Sequence, residues 1–188
     1  MLFGHTNGLY LDDERFLPFW ERLQALDVPV YLHAADAETV PSNLAGRPEL
    51  IGPVWSWTAE TATHALRLVF SEVFTRFPRV RVILGHMGET LPYLLWRLDA
   101  RARVFADQRS DAPSEIIRRH FMTTTSGMFS DEPMFCALSA IGEDNILFAV
   151  DHPFESMDDA SAWFDRMPLC DSTREKIAFA NARRILRL

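Results

Sequence analysis

Three residues in this chain sit where they could do chemistry together. His33 closes the run Val30-Tyr31-Leu32, His86 follows Val82-Ile83-Leu84-Gly85, and Asp151 closes Ile146-Leu147-Phe148-Ala149-Val150. Imidazole nitrogen and carboxylate oxygen are ordinary ligands of a divalent metal. Two His and one Asp would hold Zn²⁺ or Mn²⁺ with positions left open for substrate. Each residue alone has a plainer reading, a hydrogen-bonded strand-end His or a helix-capping Asp. Their shared placement after apolar runs favours the metal. Glu89 lies three residues beyond His86. It would orient the imidazole or share its proton, or simply favour a helix N-terminus through the dipole.

Other polar residues carry less. Arg97 lies two helical turns beyond Glu89. It would reach the site only from a helix end near it, and otherwise bridges to another subunit or forms a surface ion pair. His152, next to Asp151, reads as a substrate contact or a loop residue. His64 falls off the apolar stripe of its helix and is expected to face solvent. His120, after Arg118-Arg119, reads as structural, and His5 with Asn7-Gly8 as part of a strand-end loop. Met87, Met122 and Met128 read as packing or pocket-lining groups. The sequence contains neither a Gly-rich phosphate loop nor a Gly-x-Ser-x-Gly elbow.

The elements that must position these residues alternate in type. Strand-like runs cover 28–33, 80–86, 121–125 and 145–151. Helical patterns cover 16–26, 91–105, 133–141, 156–166 and 172–186. A further stripe, Ala62, Ala65, Leu66, Val69, Phe70, Val73, Phe74 and Phe77, predicts one helix from an N-cap at Thr58 to Pro78. Nearly continuous apolar strands between helices imply a parallel sheet covered by helices. The carboxyl ends of such strands form one rim, where sites are built. Either an open doubly wound sheet or part of a (β/α)8 barrel fits. A complete barrel takes about 250 residues, and this chain has 188 and four or five strands. The Pro- and Gly-containing stretch 34–57 is long for a plain connection and suits a pocket wall or subunit contact.

Composition narrows the partners. Apolar residues make up 48% and charged residues 24%, and 19 Lys plus Arg against 26 Asp plus Glu leave a net charge of −7. That balance argues against a mainly electrostatic grip on nucleic acid or anionic membrane. Cys136 and Cys170 form no Cys-x-x-Cys pair. The opening Met1-Leu2-Phe3-Gly4-His5 lacks a basic region and an apolar core, so no signal peptide is expected. A cytoplasmic location follows as the expectation.

Several segments together resemble a known family. They are Tyr31-Leu32-His33, Ile83-Leu84-Gly85-His86-Met87-Gly88-Glu89 with Leu91-Pro92-Tyr93 and Trp96-Arg97, Thr124-Thr125-Ser126-Gly127, Asp151 with Pro153-Phe154-Glu155, and the ending Asn181-Ala182-Arg183-Arg184-Ile185-Leu186. They resemble the metal-dependent decarboxylase branch of the amidohydrolase superfamily, nearest to the gamma-resorcylate and 2,3-dihydroxybenzoate decarboxylases, with aminocarboxymuconate-semialdehyde decarboxylase more distant. The resemblance implies a distorted (β/α)8 barrel. It implies metal ligation by His33 and Asp151, acid/base work by His86 with Glu89 as its partner, and an active-site or subunit-bridging role for Arg97. It also implies dimers or tetramers. The family's first-strand Glu-x-His or His-x-His motif is missing, and Phe3-Gly4-His5-Thr6-Asn7-Gly8 resembles the end of the fourth strand. The chain is therefore expected to be one truncated barrel domain, residues 1–188, running from the end of strand four through strand eight.

The implied reaction is non-oxidative loss of CO2 from an ortho-hydroxybenzoate, a small aromatic acid chelated to the metal. Asp151 as an acid protonates the ring carbon that bears the carboxylate, supported by His86 and Glu89. Trp55, Trp57 and Phe129 are candidate walls for the planar ring. Two other readings stay open. One is hydrolysis on the same scaffold, for which Lys176, the single lysine, offers little as an additional ligand. The other is a non-catalytic remnant.

Overall fold

The computed structural model describes residues 1–105 and 111–188. The chain divides into two compact units, Met1–Val82 and Ile83–Leu188. Its strands are hydrogen-bonded in chain order, β1-β2-β3-β4-β5.

In the first unit, β1 (Leu2–Phe3) and β2 (Val30–His33) pair in parallel, with Leu2 opposite Leu32 and Phe3 opposite His33. Val30 and Leu32 are buried while Tyr31 and His33 are half-buried, the period of two that a one-sided strand requires. The strand begins at Val30 rather than Val28. Asp27 turns left-handed at the end of α1 (Leu17–Leu26), and the Val28 amide donates back to Leu23 O, so Val28 belongs to the helix cap. Pro29 has no N–H to offer a ladder. Val30 N donates to Arg81 O at 3.0 Å, which sets the chain beside β3 (Val82–Leu84). Within α1, Trp20 is fully buried and its Nε1 donates to Leu11 O at 2.7 Å.

The single helix expected from Thr58 to Pro78 is two, α2 (Ser56–Phe70) and α3 (Val73–Arg76). Ser71 breaks it with an extended backbone, its Oγ donating to Leu68 O at 2.8 Å. The apolar stripe survives the break, with Val69, Val73 and Phe74 all buried. Trp55, not Thr58, is the N-cap, and no side chain caps α2.

His64 is a second correction. It is fully buried and its Nε2 accepts the Leu11 N–H at 3.0 Å. Tyr10 covers it edge-on at 5.0 Å, and Arg67, paired with Asp12 at 2.9 Å, lies over the Tyr10 ring. Stripe position failed here because a loop, Tyr10-Leu11, covers the polar flank of the helix. Burial pushes the His64 imidazole down to about 4. The unfolded chain, with an ordinary value near 6.5, therefore takes up this proton first as pH falls. The stability contributed by neutral His64 is complete above about pH 6.5 and is lost toward pH 4, up to about 3 kcal/mol. Urea midpoints of wild type and His64→Gln, compared from pH 7 down to pH 4, are expected to fall more steeply for wild type. Parallel profiles would assign the acid sensitivity elsewhere.

In the second unit, β4 (Phe121–Thr124) pairs in parallel with β5 (Ile146–Leu147), Thr123 opposite Ile146 and Thr124 opposite Leu147. The strand expected over 145–151 is thus two residues long. Phe148 N donates to Ile177 O at 2.9 Å instead of to a neighbouring strand. Ala149 is held at both backbone atoms by one side chain: Thr125 Oγ1 donates to its O at 2.7 Å and accepts its N–H at 2.9 Å. The ladder is replaced, not lost. The acceptor at Ile177 exists because the last helical stretch is α9 (Asp171–Glu175), a π-turn over Lys176–Ala180, and α10 (Asn181–Leu186). The buried Asn181 Nδ2 donates to Glu143 O at 2.7 Å and Ile146 O at 2.8 Å, tying α10 to β5.

A turn α4 (His86–Glu89) and a helix α5 (Leu91–Phe105) follow β3. A helix absent from the sequence reading, α6 (Pro113–His120), precedes β4. It is short and ends Arg118-Arg119-His120, so Ile117 is its only large buried aliphatic residue. Then come α7 (Asp131–Ile141), stopped at the positive-φ Gly142, and α8 (Met157–Arg166), whose N-cap Ser156 accepts from Asp159 N.

Candidate active site

The segment after β3 is unusual from its backbone upward. His86, Met87, Gly88, Glu89 and Thr90 have φ of 48°, 54°, 82°, 52° and 66°, five left-handed residues in succession. The expected strand end at His86 is this turn. A left-handed conformation costs an ordinary L-residue about 1–2 kcal/mol, and such strain persists only where surrounding structure imposes it. Gly88 N closes the turn on Gly85 O at 2.7 Å.

The turn brings two side chains three residues apart into contact. His86 Nδ1 lies 2.7 Å from Glu89 Oε1. Glu89 is buried, and its Oε2 has no hydrogen-bond partner among the described residues. The carboxylate fixes the proton on Nδ1. Nε2 is left facing Asp151 Oδ2 at 3.5 Å. Hydrogen bonding to Glu89 holds the His86 imidazole above its ordinary range; burial opposes this, and the Glu89 and Asp151 charges add to it.

Asp151 reaches this point from a loop, four residues beyond β5 rather than at a strand end. Its φ is 84°, and its carbonyl accepts from Phe154 N and Glu155 N. Gly127, just after β4, supports the approach. Its N–H donates to Val150 O at 3.2 Å. Its φ is 64°, and a Cβ there would lie 3.0 Å from His86 Cδ2 and 3.3 Å from Asp151 Oδ2. A glycine is required by both conformation and space. The sequence reading assigned no role to Gly127; its place directly after a polar strand end, Thr125-Ser126, was the available signal.

Glu89, His86 and Asp151 form a line along which a proton can be held or passed. The other candidates are placed separately. In the first unit, His33 Nδ1 lies 2.7 Å from Ala34 O, and the Phe3 ring lies 4.8 Å from the His33 ring. A carbonyl only accepts, so Nδ1 carries the proton and Nε2 keeps the lone pair a metal needs. Trp55 is exposed and Trp57 half-buried. In the second unit Phe129 packs on Trp163 at 5.9 Å, and Arg97 is exposed on α5 beside the exposed Tyr93 and Trp96. His152 is exposed, in a cis bond to Pro153, whereas His120, Met87 and Met122 are buried. Met128 is half-buried, and His5 Nδ1 accepts the Gly8 N–H at 3.1 Å.

A family model described as Amidohydrolase matches residues 2–188. The chain belongs to the amidohydrolase family. Its match to the gamma-resorcylate decarboxylase of Polaromonas sp. (strain JS666) is 42% identical over 187 residues, covering 96% of this chain and 57% of the relative. The crystal structure of 2,6-dihydroxybenzoate decarboxylase complexed with 2,6-dihydroxybenzoate superposes with a TM-score of 0.88 at 40% identity, over 95% of this chain and 57% of that one. The dihydroxybenzoic acid decarboxylase of Polaromonas sp. JS666, solved with manganese and 2-nitroresorcinol, gives 0.87 at 40% identity, over 96% and 56%. This chain therefore spans somewhat over half the length of these relatives. The expected likeness to the decarboxylase branch of the amidohydrolase family holds, as does the expected fold class, an α/β partial (β/α)8 barrel.

Proposed function

We propose that this amidohydrolase-family chain serves the metal-dependent, non-oxidative decarboxylation of an ortho-hydroxybenzoate-like acid. The observation that carries the reading is the His86 imidazole set between the buried Glu89 and Asp151, at 2.7 and 3.5 Å. The relatives' names point to the same chemistry.

His33 and Asp151 are the proposed ligands of a divalent metal, Zn²⁺ or Mn²⁺. The donor chemistry fits: with Nδ1 bonded to the Ala34 carbonyl, the neutral His33 ring presents its Nε2 lone pair, and the Asp151 side chain is partly exposed. Among the described residues no group of three His, Cys, Asp or Glu is gathered for one ion. Bound metal would supply charge neutralisation of the substrate's carboxylate and phenolate.

The chain's own residues would handle the proton. Glu89 keeps the Nδ1 proton in place and favours the imidazolium. His86 can then give its Nε2 proton to Asp151 Oδ2. Asp151, protonated, delivers it to the ring carbon bearing the carboxylate, and loss of CO2 restores the aromatic ring. Trp55 and Phe129 are proposed to bind the ring, and Arg97 to bind the acid or reach a neighbouring subunit of a homo-oligomer. A cytoplasmic setting is part of the proposal; among the described residues no helix is long and apolar enough to cross a membrane. Hydrolysis is the weaker reading. Lys176 is ion-paired with Glu143 and Asp144 at 2.6 and 2.9 Å in the π-turn, committed away from any metal.

The test is conversion of 2,6-dihydroxybenzoate to resorcinol by the chain loaded with Mn²⁺ or Zn²⁺. Turnover that a chelator abolishes and metal restores is expected. No turnover by metal-loaded chain would overturn the reading for this polypeptide.

A further inference from the structure

The left-handed turn His86–Thr90 needs something to hold it, and its own backbone hydrogen bonds, Gly88 N to Gly85 O and Thr90 N to Gly88 O, leave the His86 amide untouched. The first residue of the turn is held from outside. The His86 backbone N–H points at Ser126 Oγ, 3.4 Å away, across forty residues of sequence. Ser126 is buried, and its Oγ is also 2.7 Å from Thr124 Oγ1 on β4. The hydroxyl is therefore fixed from the sheet side and offers a lone pair to the turn. At the middle of the turn, a Cβ on Gly88 would meet Pro92 Cδ at 3.1 Å and Thr123 Oγ1 at 3.4 Å. Thr123, Thr124 and Ser126 thus form a buried hydroxyl row at the end of β4, against which the turn is seated.

We propose that Ser126 is a positioning residue: its hydroxyl anchors the His86 amide and so sets the left-handed turn that points the imidazole at Glu89 and Asp151. The physical reason is leverage. A residue at φ 48° relaxes toward negative φ once its amide loses a fixed acceptor. The Cα–Cβ vector of His86 rotates with that change, and the 2.7 Å contact to Glu89 opens. Ser126 acts through His86 and not on substrate. Its importance for turnover rests on the decarboxylase reading; its effect on the turn does not.

The test separates the two. In the full chain labelled with ¹⁵N, the His86 Nδ1–H shared with Glu89 gives a downfield imidazole resonance, and the His86 amide is protected from hydrogen exchange. Ser126→Ala is expected to broaden or lose the imidazole resonance and to lower the amide protection at least tenfold. Ser126→Thr, which keeps the hydroxyl, restores both. Thr123→Ala serves as a second variant in the same buried row that leaves the His86 amide bonded, and it keeps the resonance. An unchanged resonance and unchanged protection in folded Ser126→Ala overturns the proposal. So does equal loss in Ser126→Ala and Thr123→Ala, which would make the effect general loosening of the row. If Ser126→Ala does not fold, Ser126→Cys takes its place with the same two outcomes. Because neither readout uses substrate or metal, a chain inactive as a decarboxylase still answers the question.

Discussion

Asp151→Asn is expected to remove both metal and activity. An amide oxygen carries no charge for the ion and no proton for the ring carbon. Loss of a positioned general acid alone costs on the order of 10²–10⁴-fold in rate. Elemental analysis of wild type and variant, purified side by side after loading with Mn²⁺, reads the first effect, and single-turnover decarboxylation reads the second. His86 should stay above its ordinary range in the variant, because its hydrogen bond to Glu89, the largest contribution, is untouched. A variant that keeps stoichiometric metal and wild-type turnover would remove Asp151 from both roles.

Gly127→Ala should be nearly as damaging, although Gly127 carries no functional group. Its φ of 64° is costly for alanine, and the added methyl would stand 3.0 Å from His86 Cδ2. The imidazole or the Asp151 loop has to move, and a displacement of about 1 Å at a reacting group can cost roughly 10²-fold. The conformational penalty adds a stability loss of at least about 1 kcal/mol. Turnover falling about 10²-fold with a lowered urea midpoint is the expected pair of results. A variant with normal turnover would show that the His86–Asp151 approach is not needed for the reaction.

Much of this site was legible before the fold. Types and spacing marked His86 and Asp151, because imidazole and carboxylate recur together after apolar runs, and Glu89 by its place three residues beyond His86. The strands were legible where burial alternates, as in Val30–His33, or is complete, as in Val82–Leu84. What stayed hidden has physical causes. The positive φ angles at His86, Met87, Glu89 and Thr90 leave no mark on residue types that normally avoid them. Ile146–Leu147 looked like a longer strand because a side chain, Thr125, took over the ladder's hydrogen bonds, and periodicity cannot see that exchange. His64 looked exposed because helix position says nothing about a loop that folds over it. The fifteen-residue α5 was readable end to end, since its stripe and boundaries are local.

The π-turn near the end of the chain has a reach beyond its own helix. By leaving Ile177 O to Phe148 N, while Asn181 grips Glu143 O and Ile146 O, it makes the tail the far wall of the segment that carries Asp151. The tail works as a latch on that loop, with its length and register fixed by the one extra residue of the wide turn. A single deletion there would reach the Asp151 loop as a change of phase, shifting the latch out of step with the strand it secures.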